Sequence, residues 1–141
     1  MEKRANPIPQ GNYVPATRSG NLIFTAGMTS RRNGVLIFTG RVKAGEPLEP
    51  YREAVCQAAD NALTAALNQL HEGEHISQVL SLMVYVNAED GFTLHSKLAD
   101  FATDYLCERL GDAGVAARAA LGVASLPGNA PVEIQIICAA S

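Results

Sequence analysis

Residues 79–86, Val-Leu-Ser-Leu-Met-Val-Tyr-Val, are apolar at odd and even positions alike. Successive side chains of a strand point to opposite faces, so a strand of this composition is apolar on both sides and belongs inside a sheet, covered on each. The rest of the chain supplies two helical stretches, enough to cover one face of a small sheet. The second face needs another partner, and a second subunit is the simplest source. A mixed α+β fold that assembles with copies of itself is therefore expected.

Taken in order, residues 1 to 11 form an irregular lead-in and Tyr13 to Arg18 a short strand, followed by a Ser19-Gly20-Asn21 turn. Leu22 to Ala26 is β-rich and stops at Gly27; Asn33-Gly34 is a hairpin cue before Val35 to Phe38. Pro50 suits a first helical position, and the helix it opens runs from Tyr51 to about His71, with Val55, Ala59, Ala62, Ala66 and Leu70 on one face. Gly73 is its stop. Asp90 reads as the N-cap of a second helix ending near Leu110-Gly111, with Leu94, Leu98, Phe101 and Tyr105 on one side. The chain closes on a predicted hairpin, with one strand headed by Arg118, a loop from Ser125 to Pro131, and a last strand from Val132.

The 141 residues suit a single domain, 1–141, with 48% hydrophobic and 18% charged residues. No apolar run approaches the roughly 20 residues of a membrane span. The charged opening Met-Glu-Lys-Arg-Ala-Asn-Pro lacks the apolar segment of a secretory signal, which favours the cytoplasm. Three cysteines, Cys56, Cys107 and Cys138, are then best read as free thiols. A net charge of -3 argues against nucleic acid as the main partner, and the Arg31-Arg32 pair reads as a solvated hairpin tip. His71 and His75 have metal-ligand spacing, but Gly73 breaks the helix between them; His95 has no nucleophile or acid in its segment. Neither a metal site nor a catalytic triad is expected.

Two charges stand out. Arg118 lies among Val115, Ala116, Ala117, Ala119 and Ala120, and Glu133 lies between Val132 and Ile134. Desolvating a lone charge costs several kcal/mol, so each must be paired or serve a ligand. Arg118 suits bidentate recognition of a carboxylate, or a structural salt bridge. Glu133 suits an acid/base role with its pKa raised by burial, or half of a buried pair. In a hairpin with Ala124 opposite Val132, the two charges stand roughly 17 Å apart. A site using both needs either a different register or contributions from two chains.

Asn12-Tyr13-Val14, Ser19-Gly20-Asn21, Phe24-Thr-Ala-Gly27, Val84-Tyr-Val86, and Arg118 with Leu126-Pro127 and Val132-Glu-Ile134 occur in the order and spacing of the RidA (YjgF, reactive intermediate deaminase) family, which the chain resembles over nearly its whole length. The resemblance implies a chorismate-mutase-like α+β fold, a mixed sheet with two helices on one face, assembled as a homotrimer with clefts between subunits. It implies hydrolysis of enamines and imines of the 2-aminoacrylate type to 2-keto acids and ammonia, with no metal or organic cofactor. Arg118 then matches the carboxylate-binding arginine, Glu133 the acidic residue near the attacking water, and Tyr13 and Gly27 the cleft tyrosine and glycine. Three positions differ from the better-known members: Ala26 replaces a serine, Ala120 a cysteine, and Ser96 an asparagine. The run from Leu121 to Glu133 resembles a branch apart from those members. A non-catalytic trimer that binds a small carboxylate metabolite is the alternative reading, and an endoribonuclease a further one that the acidic charge disfavours.

Overall fold

The computed structural model describes residues 4–141. A reversal at Gly20, with φ of 59°, joins β1 (Ala16–Ser19) to β2 (Leu22–Thr25). Two short strands follow, β3 (Met28–Thr29) and β4 (Arg31–Arg32), the latter paired with β5 (Val35–Leu36). Asn33 and Gly34 both have positive φ, the conformation of the tight hairpin turn that the Asn-Gly cue predicts. Strand β5 is only two residues long, short of the predicted Val35 to Phe38, because Phe38 turns away to pack edge-on against Tyr51.

Pro50 lies in a 3-10 turn, Glu49–Tyr51, that leads into α1 (Arg52–Leu67). The helix ends four residues before the predicted His71, yet the small-residue stripe is where the spacing puts it: Val55, Ala59, Ala62 and Ala66 are fully buried. Strand β6 (Ile76–Asn87) follows, then α2 (His95–Leu110), β7 (Ala117–Val123) and β8 (Val132–Ala140). Asp90 does not cap α2. It sits in a turn with Gly91, whose φ is 84°, and the helix starts only at His95, with no side-chain bond from Leu94 at its N-cap. The buried stripe of α2 is Leu98, Ala99, Ala102 and Leu106; Phe101 and Tyr105 are only partly buried and Leu94 is exposed.

The sheet runs β1-β2-β8-β6-β7, with β3 continuing along β8 beyond β2. The two-sided apolar run therefore lies between two neighbours, as expected. The closing hairpin does not form. Strand β7 pairs parallel with β6 on one side and β8 pairs antiparallel with it on the other, so β6 separates them. A connection of a few residues reads as a hairpin loop, but it needs to cross only two strand spacings, about 10 Å, to step over the end of β6. Asn87 at that end, almost wholly buried, pins the connection: its Nδ2 donates to Asn129 Oδ1 and to the Ala130 carbonyl.

The faces of the sheet differ sharply. Val132, Ile134, Ile136 and Cys138 of β8, with Leu82, Val84 and Val86 of β6, are fully buried beneath the helices. The alternate residues form the open face, where Leu22 and Phe24 of β2 sit opposite Ala139 and Ile137 of β8, and Met83 and Tyr85 of β6 sit opposite Gln135 and Glu133.

Candidate functional site

Arg118 pairs with Leu82 across the β6–β7 ladder and so shares the helix face of the sheet. Because β7 is the last strand, its side chain reaches past the sheet edge to α2. Nη1 donates to Asp100 Oδ1 at 2.9 Å and Thr103 Oγ1 at 3.0 Å; Nη2 donates to Ser96 Oγ at 2.9 Å and the Ser96 carbonyl at 3.1 Å. The acid missing from its own strand is thus supplied 18 residues earlier, by a carboxylate whose side chain is 59% exposed. Ser96 meets the arginine directly. Ala120 lies two residues on along the same face, partly buried against the core.

Beyond Ala120 on that face comes Gly122. A Cβ there would stand 2.8 Å from His95 Nε2, so the glycine makes room for the imidazole, which packs edge-on against Phe92 at 4.9 Å. Nothing in the sequence near His95 signals this neighbourhood, because the strand it covers lies more than twenty residues downstream.

Glu133 occupies the other face. Its ladder partner is Tyr85, three residues from Leu82, and an odd offset along a strand reverses the face. Arg118 and Glu133 therefore stand on opposite sides of the sheet, two strands and three residues apart, about 14 Å between backbones. No ion pair joins them within the chain.

Around Glu133 the backbone is shaped by an extra residue. Phe24 pairs with Ile137 and Met28 with Ile134, so three residues of one strand oppose two of the other. Thr25 bridges the gap: its Oγ1 accepts from the Ile136 N–H at 3.1 Å and its carbonyl from Gln135 Nε2 at 3.1 Å. The bulge lays Ala26-Gly27 over the Glu133 side chain. A Cβ on Gly27 would come 2.3 Å from Oε2, so the carboxylate occupies the space that glycine leaves. Glu133 has no salt-bridge or hydrogen-bond partner for its side chain among the described residues, and burial pushes its pKa up.

The carboxylate opens into a cavity of about 350 Å³ whose lining includes Tyr13, Ala26, Gly27, Thr29, Arg31 and Glu133. Tyr13 is held by the lead-in itself, since its hydroxyl accepts the Gln10 N–H at 3.0 Å. Four of the residues singled out in the sequence thus gather at one place: Tyr13, Ala26, Gly27 and Glu133. Arg118, Ser96 and Ala120 gather at another.

Arg31 was not among them. The Asn33-Gly34 turn folds it back into the cavity wall, so the hairpin-tip reading fits Arg32, which reaches Glu53 and Gln57 at the surface, but not Arg31. His71 and His75 lie in the loop after α1, where Glu74 is bound by Arg18 at 2.7 and 2.8 Å. No cluster of three metal-ligating side chains occurs among the described residues, and no helix among them is long and apolar enough to cross a membrane.

The chain is similar to known proteins over most of its length. Protein TCP17 of Trypanosoma cruzi is 28% identical over 134 residues, covering 94% of this chain and 84% of that protein. The crystal structure of Atu1372 from Agrobacterium tumefaciens, a protein described as having unknown function, is 34% identical and superposes with a TM-score of 0.82 over 98% of this chain and 87% of that one. The YjgF gene product of E. coli, at 21% identity, shares the fold with a TM-score of 0.65 over 95% of this chain and 92% of its own. The family model described as Endoribonuclease L-PSP matches residues 3–140, and the chain belongs to that family, the YjgF/RidA family.

Proposed function

We propose that the protein hydrolyses small carboxylate-bearing enamines and imines of the 2-aminoacrylate type to 2-keto acids and ammonia, in a cytoplasmic homotrimer whose clefts join Arg118 of one subunit to Glu133 of the next. The observation that carries this reading is the placement of the two charges. Glu133 is a desolvated carboxyl with no pairing group among the described residues, facing an open cavity, and Arg118 lies on the reverse of the sheet at its edge. Each subunit holds one half of a site, and a neighbour brings the halves together.

Arg118 arrives pre-oriented, since Ser96 and Thr103 fix the guanidinium plane. A substrate carboxylate would take the place of the exposed Asp100 carboxylate and keep the arginine paired throughout. The enamine takes a proton at its β-carbon to become the imine. Water held by Glu133 adds to the carbon of the N-protonated imine as one water proton passes to the carboxylate; that proton then moves to the amine, and as the C–N bond breaks the hydroxyl proton passes to Glu133, releasing ammonia and the keto acid. A carboxyl with a raised pKa suits such a shuttle better than an ordinary one. The uncatalysed hydrolysis is already facile, so positioning and modest acid-base help suffice.

The test is a coupled assay with an amino-acid dehydratase that generates 2-aminoacrylate or 2-iminobutyrate. Wild type should hasten their decay, and Arg118→Ala should reduce this at least about tenfold, the loss of one charge-assisted pair. Equal decay with both proteins would remove the hydrolase reading for these substrates. Titration with 2-ketobutyrate then addresses the binding alternative, and RNA cleavage dependent on Glu133 would favour the nuclease one.

A further inference from the structure

Arg31 is a cation in the lining of the Glu133 cavity, apart from Arg118. Its Nη1 donates to the Gly34 carbonyl at 2.9 Å, its Nε is shielded from solvent with no acceptor, and no carboxylate among the described residues lies within ion-pair distance. The guanidinium is confined between two turns: a Cβ on Gly128 would lie 3.1 Å from Nη2 and 2.9 Å from the Leu36 methyl that packs there. Five other arginines are paired with carboxylates: Arg4 with Asp60, Arg18 with Glu74, Arg32 with Glu53, Arg52 with Glu49, and Arg118 with Asp100. Arg41 donates instead to Asn87 Oδ1 and the Ala124 carbonyl, and Arg109 lies over the Tyr105 ring; Arg31 differs from both in having a buried Nε with no acceptor among the described residues. Arg31 is held in place, partly desolvated, with most of its five donors unspent.

A half-buried guanidinium without a counter-charge is costly unless an anion reaches it. Glu133 in the same cavity does not serve, since the two form no ion pair, and burial rather than a neighbouring charge governs the pKa of Glu133. We infer that Arg31 binds a second carboxylate of the substrate, so that the preferred substrates are imines or enamines of dicarboxylic 2-keto acids, which bear one carboxylate more than 2-aminoacrylate. The inference rests on the proposed function, in which Arg118 takes the α-carboxylate; Arg31 takes the distal one. The reaction is unchanged, because the distal carboxylate is held and does not react. Ala26 and Ala120 remove polar side chains near the two sites, leaving the arginines to select the substrate by its charges.

The experiment measures binding of 2-oxoglutarate and 2-ketobutyrate by calorimetry to wild type, Arg31→Gln and Arg118→Ala, with the mass of each assembly followed by light scattering. Wild type should bind the dicarboxylate about tenfold more tightly, and Arg31→Gln should abolish that preference, so that the two anions bind with similar affinity. Arg118→Ala should weaken both. Equal affinity of wild type for the two anions, with 2-ketobutyrate still dependent on Arg118, overturns this inference and leaves the proposed function standing. Binding of neither anion overturns both. Dissociation of the assembly in Arg31→Gln overturns it differently, by showing that the cation is spent on a neighbouring subunit.

Discussion

Glu133 and Gly27 act as a unit: the missing Cβ of the glycine is the space that the carboxylate fills, and the same close cover desolvates it. Burial raises the pKa of Glu133 above its ordinary 4.5, so the folded state holds the proton to higher pH than the unfolded state does. Below about pH 4 both states are protonated and the full stability is present; it is lost as pH rises through the folded pKa. Glu133→Gln, neutral throughout, should gain stability relative to wild type between about pH 4 and neutrality and level off above the folded pKa, as read from urea midpoints. Asp100 makes the opposite kind of pair, exposed and exchangeable. If it competes with substrate for Arg118, Asp100→Asn should lower KM severalfold with little change in kcat, measured in the dehydratase-coupled assay. Both charges were legible in the sequence because each stands alone in an apolar strand. Their partners were not, since Asp100 and the Gly27 backbone come from distant segments that only the sheet brings near.

At the scale of elements, the helices and the central strand could be read from periodicity, which reports burial: Val55, Ala59, Ala62 and Ala66 of α1 are fully buried and β6 lies inside the sheet, although Leu80 of that strand is exposed and only Leu98 of the expected α2 face is fully buried. What it cannot report is pairing. Strands β7 and β8 are both apolar, joined by a short loop, and look like a hairpin until β6 is placed between them. The parallel β6–α2–β7 unit depends on α2 lying across the sheet, which separates two contributions to stability. Leu98 is fully buried in that contact, and Leu98→Ala should cost about 2–5 kcal/mol in chemical denaturation through lost burial and a cavity. Arg118→Ala removes bonds at the rim of the same helix, where the Asp100 side chain is 59% exposed, and should cost about 1 kcal/mol or less. The same variant is expected to abolish turnover. A loss of stability near that of Leu98→Ala would mean that Arg118 is a structural clasp first.

For the whole molecule, the deciding feature is the uncovered face of the sheet. Leu22, Phe24, Leu121 and Ile137 lie there with Met83 and Tyr85, and Phe24 and Leu121 remain 39% and 37% exposed. A continuous apolar face of this kind marks an interaction surface, and the helices are already spent on the reverse side. The two-sided apolarity of residues 79–86 makes the same demand, so the expectation of assembly can be argued from the sequence, whereas the residues that would meet across the face cannot. If the face is closed by copies of this chain, a charge at its centre must oppose closure without touching the helix-side core. Ile137→Lys places an ammonium opposite Phe24 and Ser81 on the open face only. The variant should elute as a folded monomer by light scattering at micromolar concentration, with helical circular dichroism retained. Because the proposed cleft takes Arg118 and Glu133 from different subunits, the monomer should also lose imine hydrolysis although both residues are intact. A monomer with full activity would show that one chain holds the entire site, and the two-subunit reading would fall.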